Sequence, residues 1–307
     1  MKWTALLLVI PFACGPATRN GPGDDDGTGG DGGTGSNATG SNGSDGCSDD
    51  AKLIYVVDMN NKMAKFDPMS KTFTPIGTLT CSPTVLGIPD GATPFSMAVD
   101  RSAQAYVLFT DGNIMKVDTT QSSLPCTATS WMAGAGGLDE FGMGYSTDTA
   151  GGTTDTLYIA GGAAVGNGSS MLETLNTSSM TATPVGSVVG NPELTGNANA
   201  ELWAFSPAVK SGEMPTVQQI NKMGGSAAIT YTLPTLAGDP SAWAFGFYGG
   251  DYWVFLQRDG EQNTTVYEIA GPTNMTHTPG TVVGMTPAPG LIIVGAGVST
   301  CAPTQIF

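Results

Sequence analysis

Five short apolar runs recur along the chain: LIYVVD (53–58), AYVLF (105–109), TLYIAG (156–161), ELWAFS (201–206) and DYWVFL (251–256). Each is aromatic and β-branched and is bounded by turn residues, so each reads as a strand. A second, alternating run follows every one of them: KMAKFD (62–67), NIMKVD (113–118), SMLETLN (170–176), TVQQIN (216–221) and TVYEIA (265–270). The first four end in Asp or Asn, whose side chains bond nearby backbone and favour turns. A Thr- and Pro-rich stretch comes next, as in KTFTPIG (71–77) and MTATPVG (180–186). Those stretches predict a third strand at an edge, where Pro is tolerated.

Four of the five units are preceded by a further element: FSMAVD (95–100), FGMGYS (141–146), ELTGN (193–197) and WAFGFY (243–248). These place Gly and Ala at alternate positions, which suits strands whose backbones converge on an axis. The unit starting at residue 53 has no such element before it. Its missing copy stands near the other end of the sequence, as VGAGVS (294–299). A four-stranded unit repeated five times at roughly 50-residue spacing predicts an all-β fold, a five-bladed β-propeller. In that fold the C-terminal strand joins the N-terminal blade as its innermost strand and closes the ring, leaving only short sheet edges. A pair of β-sandwiches gives no reason for five matched units or a terminal echo. A β-solenoid would have shorter coils and capped ends.

The cysteines sharpen this picture. Ring closure brings Cys301, just after the echo, close to Cys47, just before the first strand, and predicts a Cys47–Cys301 disulfide. Cys81 and Cys126 fall in the outer parts of the first two blades and are left to pair with each other. The fifth, Cys14, ends MKWTALLLVIPFACG, one basic residue followed by an apolar run too short to span a bilayer. Ala13-Cys14-Gly15 resembles a bacterial lipobox, although Phe12 and Pro11 depart from its usual small and leucine-like residues. Lipidation of Cys14 leaves an even number of cysteines, as an exported protein with two disulfides requires. Residues 1–14 are therefore expected to be a lipoprotein-type signal segment and 15–46 a Gly/Asp/Ser tether. The propeller domain follows over 47–307. The tether has almost nothing to bury, so it is expected to be disordered, with a span of roughly 30 Å. Its alternating Asp and Gly do not match the spacing of a calcium loop. Gly15, rather than Asp, after the cysteine points to the outer membrane; the alternative is plain secretion.

Three stretches together, ELTGNANAELWAF (193–205), AWAFGFYGGDYWVFL (242–256) and IIVGAGVSTCAP (292–303), resemble a group of exported bacterial lipoproteins with propeller-type repeats. The resemblance covers roughly residues 50 to 303 and implies the fold but no particular activity. WD dipeptides at blade ends and kelch-type glycine pairs are missing from their expected places.

Composition narrows the function classes. Lys and Arg number 11 against 26 Asp and Glu, a formal net charge of -15. That balance argues against nucleic acid and against anionic lipid as a binding surface. The sequence contains one histidine, His277, expected at a surface turn, so His-based catalysis and His-ligated metal sites are disfavoured. MAGAGGLDE (132–140) has loosely phosphate-loop glycines but no Lys-Ser/Thr after them, and reads as a flexible crossing between blades two and three.

One arrangement of acids remains. Links from an outer strand to the next innermost strand pass over one mouth of the axial channel. Asp90, Asp139, Glu140, Glu193 and Asp239 fall in or beside four of those links. Such carboxylates could ligate Ca2+, hydrogen-bond a carbohydrate, or serve as the acid pair of a polysaccharide-acting glycoside hydrolase. Turn chemistry alone also places Asp in links of this kind. Trp243, Tyr248, Tyr252 and Trp253 are the aromatics able to stack on a sugar, although alternate residues there must pack between blades. No catalytic motif is present, which favours a non-catalytic binding module for carbohydrate, cation or protein partner. A hydrolase and a purely structural envelope scaffold are the alternatives.

Overall fold

The computed structural model of the protein describes residues 46–81, 91–162, 168–209 and 212–306. Cys14, the tether up to residue 45 and Asp90 lie outside the described residues. Blade one pairs β20 (Ile293–Val298), β1 (Ile54–Asp58), β2 (Lys62–Asp67) and β3 (Thr72–Thr78), in that order from the axis outward. Blade two runs β4 (Pro94–Val99), β5 (Gln104–Phe109), β6 (Ile114–Asp118) and the short β7 (Cys126–Ala128). Blade three comprises β8 (Phe141–Thr147), β9 (Asp155–Gly161), β10 (Ser169–Asn176) and β11 (Thr181–Val189). Blade four comprises β12 (Glu193–Gly196), β13 (Leu202–Ser206), β14 (Thr216–Ile220) and β15 (Ala227–Thr232). Blade five is β16 (Pro240–Tyr248), β17 (Asp251–Arg258), β18 (Thr264–Ile269) and β19 (Val282–Ala288).

The innermost strands neighbour one another in the cycle β20, β4, β8, β12, β16 and back to β20, so the ring is closed. The closing pair is antiparallel, with Ile54 opposite Val298 and Val56 opposite Ala296. The fold is a five-bladed β-propeller.

Why these segments become strands follows from where their two faces go. One apolar layer fills each of the five clefts between neighbouring blades. A second strand such as β1 is therefore buried at all five positions, and its sequence is a continuous apolar run rather than an alternation. The outermost strands have one face in solvent or both; β15 (AAITYT) is exposed at five of six positions. Between blades five and one, Phe66 meets Trp253 and Phe255 edge-on at centroid distances of 5.3 and 5.5 Å. Each such contact adds about 1 kcal/mol beyond burial.

The innermost strands need small residues because their backbones touch. A Cβ added at Gly144 would stand 2.6 Å from the Leu194 carbonyl oxygen of β12. At Gly142 it would overlap the Pro192 carbonyl oxygen. Both predicted disulfides are present, Cys47–Cys301 across a separation of 254 residues and Cys81–Cys126 across 45. The glycine-rich crossing before β8 is anchored. It makes consecutive tight turns through left-handed Gly136 and Gly137, and Trp131 Nε1 donates to the Gly112 carbonyl at 3.1 Å.

Candidate functional site

The five innermost strands run in the same direction, so their first residues gather at one end of the axis and their last at the other. The first end holds a cavity of about 290 Å3. Phe95 of β4, Glu193 of β12, Trp243 of β16 and Val294 of β20 line it, with Glu140 from the link before β8 and Met59 from the turn after β1.

Glu193 is the most constrained residue of this mouth. As the first residue of β12 it is only 3 % exposed. Its carboxyl reaches across the axis, where Ser96 Oγ, two blades away, donates to Oε2 at 2.8 Å. The Met143 backbone N–H of the intervening blade is a second donor. Burial nevertheless dominates and raises its pKa well above the ordinary value of 4.5, against the opposing effect of these two hydrogen bonds. Glu193 is therefore a neutral acid at pH values where exposed carboxylates are charged. Glu140 is exposed at the rim, with its pKa raised first by partial desolvation and then by the charge of Asp139.

The four predicted acids among the described residues thus part company. The structure brings Glu140 and Glu193 to one cavity. Asp139 and Asp239 are exposed and do not line it. Asp139 belongs to the glycine-turn region, its Oδ1 within 3.3 Å of where a Gly134 Cβ would stand. Asp239 stands at the turn before β16, and its carbonyl accepts from the Asp259 amide at 2.9 Å. Of the four aromatics, only Trp243 reaches the mouth. Tyr252 and Trp253 are buried in the clefts on either side of blade five, and Tyr248 packs on the blade-one side.

Ser96 and Phe95 carry no motif of their own. The one available signal is that Ser96 interrupts an otherwise apolar innermost strand, where a hydroxyl needs a buried partner. A further buried acid, Glu173 of β10, lies away from the axis under the turn at Gly136, its Oε2 without a hydrogen-bond partner and its pKa raised by desolvation. Among the described residues no group of three or more His, Cys, Asp or Glu is arranged to hold a metal ion, so a cation at the mouth would find two carboxyls, Glu140 and Glu193. His277 is exposed between β18 and β19, its Nδ1 2.8 Å from Thr276 Oγ1.

The opposite end of the axis is built of paired charge. Arg101, following β4, donates through Nε to Asp155 Oδ2 at 3.0 Å and through Nη2 to the Gly152 carbonyl at 2.8 Å. Thr300 Oγ1 donates to the same Asp155 oxygen at 2.6 Å. The Cys47–Cys301 bridge lies beside this knot, with the Ser48 amide donating to the Arg101 carbonyl at 3.0 Å. Lys222 from blade four donates to the Thr147 carbonyl at 2.8 Å.

No protein-family model matches the chain, and no curated protein matches it in sequence. Solved structures resemble it in shape. A protein from Lactobacillus plantarum is 12 % identical, with a TM-score of 0.40, over 80 % of this chain and 71 % of that one. A protein of unknown function from Bacteroides caccae is 13 % identical, with a TM-score of 0.35, over 80 % of this chain and 97 % of that one. The β-propeller domain of Cps50 (Swd1) from Myceliophteria thermophila is 11 % identical, with a TM-score of 0.39, over 78 % of this chain and 69 % of that one. Likeness at this level carries no functional argument, and the class of the protein rests on its own strand pairing. Among the described residues no helix is long and apolar enough to cross a membrane.

Proposed function

We propose that the chain is a bacterial cell-envelope lipoprotein, anchored through Cys14 and spaced by the 15–46 tether, whose propeller binds a carbohydrate unit at the axial mouth without turning it over. One observation carries the binding reading: a cavity of about 290 Å3 that combines an aromatic face, Trp243, with a neutral buried acid, Glu193, and an exposed one, Glu140. Its volume is at the small end of ligand pockets, enough for one sugar ring rather than a long chain. An indole beside polar groups suits the apolar C–H face and hydroxyl edge of a sugar. Calcium fits less well, because it takes six to eight oxygen ligands and prefers charged ones, while burial favours the neutral form of Glu193. A protein partner or a purely structural role remains the reading if the mouth is inert.

One feature also favours a hydrolase: two carboxyls of one cavity held in unlike environments, which is how glycosidases separate their acid from their nucleophile or base. Against it, both donors to Glu193 come from other blades and use the carboxyl as a tie between them. The two readings separate in one experiment. The full chain is titrated with mono- and oligosaccharides, and its thermal midpoint and reducing-end release are followed. A midpoint raised by mass action and lost in Trp243→Ala and Glu140→Gln supports binding. Release of reducing ends, abolished in Glu193→Gln, would replace binding by hydrolysis. A midpoint that no sugar moves, or that moves equally in both variants, removes the mouth as a carbohydrate site.

A further inference from the structure

The sequence has 14 methionines, and among the described residues twelve fall into a buried and an exposed set, with Met180 half-buried between them. Met63, Met97, Met115 and Met143 are at most 1 % exposed, in the clefts between blades. Met69, Met132, Met223, Met275 and Met285 are 61 to 90 % exposed, and Met59, Met171 and Met214 are 38 to 49 % exposed. Among the described residues the other exposed large hydrophobics are Val189, Ile229 and Ile306, and no leucine, phenylalanine or tryptophan joins them. Leucine and methionine are near-equivalent in volume and hydrophobicity. What separates them is the thioether, which accepts an oxygen atom.

We propose that these eight surface methionines form a sacrificial layer that consumes hypohalous acid and so spares the buried methionines. The sulfur lone pair attacks the halogen, the S–Cl bond forms and the O–Cl bond breaks, releasing hydroxide. Water then displaces chloride from sulfur. The net change per residue is one thioether and one hypochlorous acid to one sulfoxide, one chloride and one proton. Sulfur is oxidised by two electrons and chlorine is reduced by two.

The fold tolerates this chemistry at the surface because the turns there are held by other atoms. The Met69 amide donates to Asp67 Oδ1 at 2.9 Å, and the Met223 amide to Asn221 Oδ1 at 2.9 Å. Beside Met275, Asn274 Oδ1 accepts from the amides of Thr276 and His277 at 3.0 and 2.9 Å. None of these turns needs the methionine side chain. A sulfoxide at Met97 or Met143 would instead place a strong dipole in an apolar cleft.

The test doses the full chain with up to eight equivalents of hypochlorous acid, one per exposed methionine. Peptide mass mapping and the thermal midpoint are then recorded. Sulfoxide should appear first at the five most exposed positions and then at the other three. The four buried residues should stay at least about tenfold less oxidised, with the midpoint unchanged within about 2 °C. A variant with all eight replaced by leucine should, at the same dose, oxidise its buried methionines and lose midpoint. If that variant does not fold, replacing Met223 and Met275 alone should lower the dose tolerated by about two equivalents. Oxidation of Met63, Met97, Met115 or Met143 in step with the surface set would overturn the proposal. So would a leucine variant that withstands the dose as well as the parent.

Discussion

The two ends of the axis are made from the same five strands, and at each a carboxyl links separate blades, yet the links differ in kind. At the disulfide end, Asp155 is paired with Arg101 and accepts from Thr300, both through Oδ2. At the other end, no ion pair joins Glu193 among the described residues. The residues around it bring Ser96, Met143, Trp243 and Val294, with Glu140 as the other titratable group lining the cavity among the described residues. Burial favours its neutral form. The first arrangement locks the ring where its two chain termini meet. The second lines a cavity.

The largest way to break this contrast is at the lock. In the chain-entropy model a bridge closing 254 residues contributes about 5 kcal/mol, and one closing 45 contributes about 1.5 kcal/mol less. Replacing Cys47 and Cys301 by Ser should therefore lower stability to urea more than replacing Cys81 and Cys126. Equal losses would mean that ring closure does not govern the unfolded chain. Next comes Asp155→Ala, which removes the carboxylate to which both Arg101 and Thr300 donate and should cost about 3 kcal/mol by the same measurement. A loss under about 0.5 kcal/mol would make the ion pair an ornament of the fold.

The smallest effect belongs to the open end. Glu193→Gln keeps an oxygen for Ser96 and Met143 and should cost less than about 1 kcal/mol near pH 4. Its signature is pH. Folded Glu193 holds its proton above the ordinary value of 4.5 while the unfolded chain releases it, so the folded state binds more protons. Stability from this group is complete below pH 4.5 and is lost as pH rises toward the folded value, by up to about 1.4 kcal/mol per pH unit. The glutamine variant should flatten that decline, read as thermal midpoint against pH between 4 and 8. A variant with the parental slope would show that Glu193 is ionised in the folded state.

How far the sequence reaches differs between fold and site. The repeat of aromatic and β-branched runs marks every second strand, and the echo at 294–299 predicts β20 beside β1. The alternate glycines mark the innermost strands because an axis leaves no room for Cβ, as at Gly144 against Leu194. For the mouth, the sequence places acids near the right links but cannot rank them. Glu140 and Asp139 are adjacent, and only one lines the cavity. Which side chain turns inward depends on where the strand begins, and one residue of shift reverses it.

Local patterning therefore determined the strands, the five-fold count, the ring closure and the Cys47–Cys301 pair, because these follow from periodicities written along the chain. Only the tertiary structure decided that Glu193 meets Ser96, 97 residues away and two blades apart, that burial favours its neutral form, and that Asp155 has an ion pair where Glu193 has none among the described residues. Those facts depend on burial and on neighbours brought together by the ring, and neither is encoded in the spacing of residues along one strand.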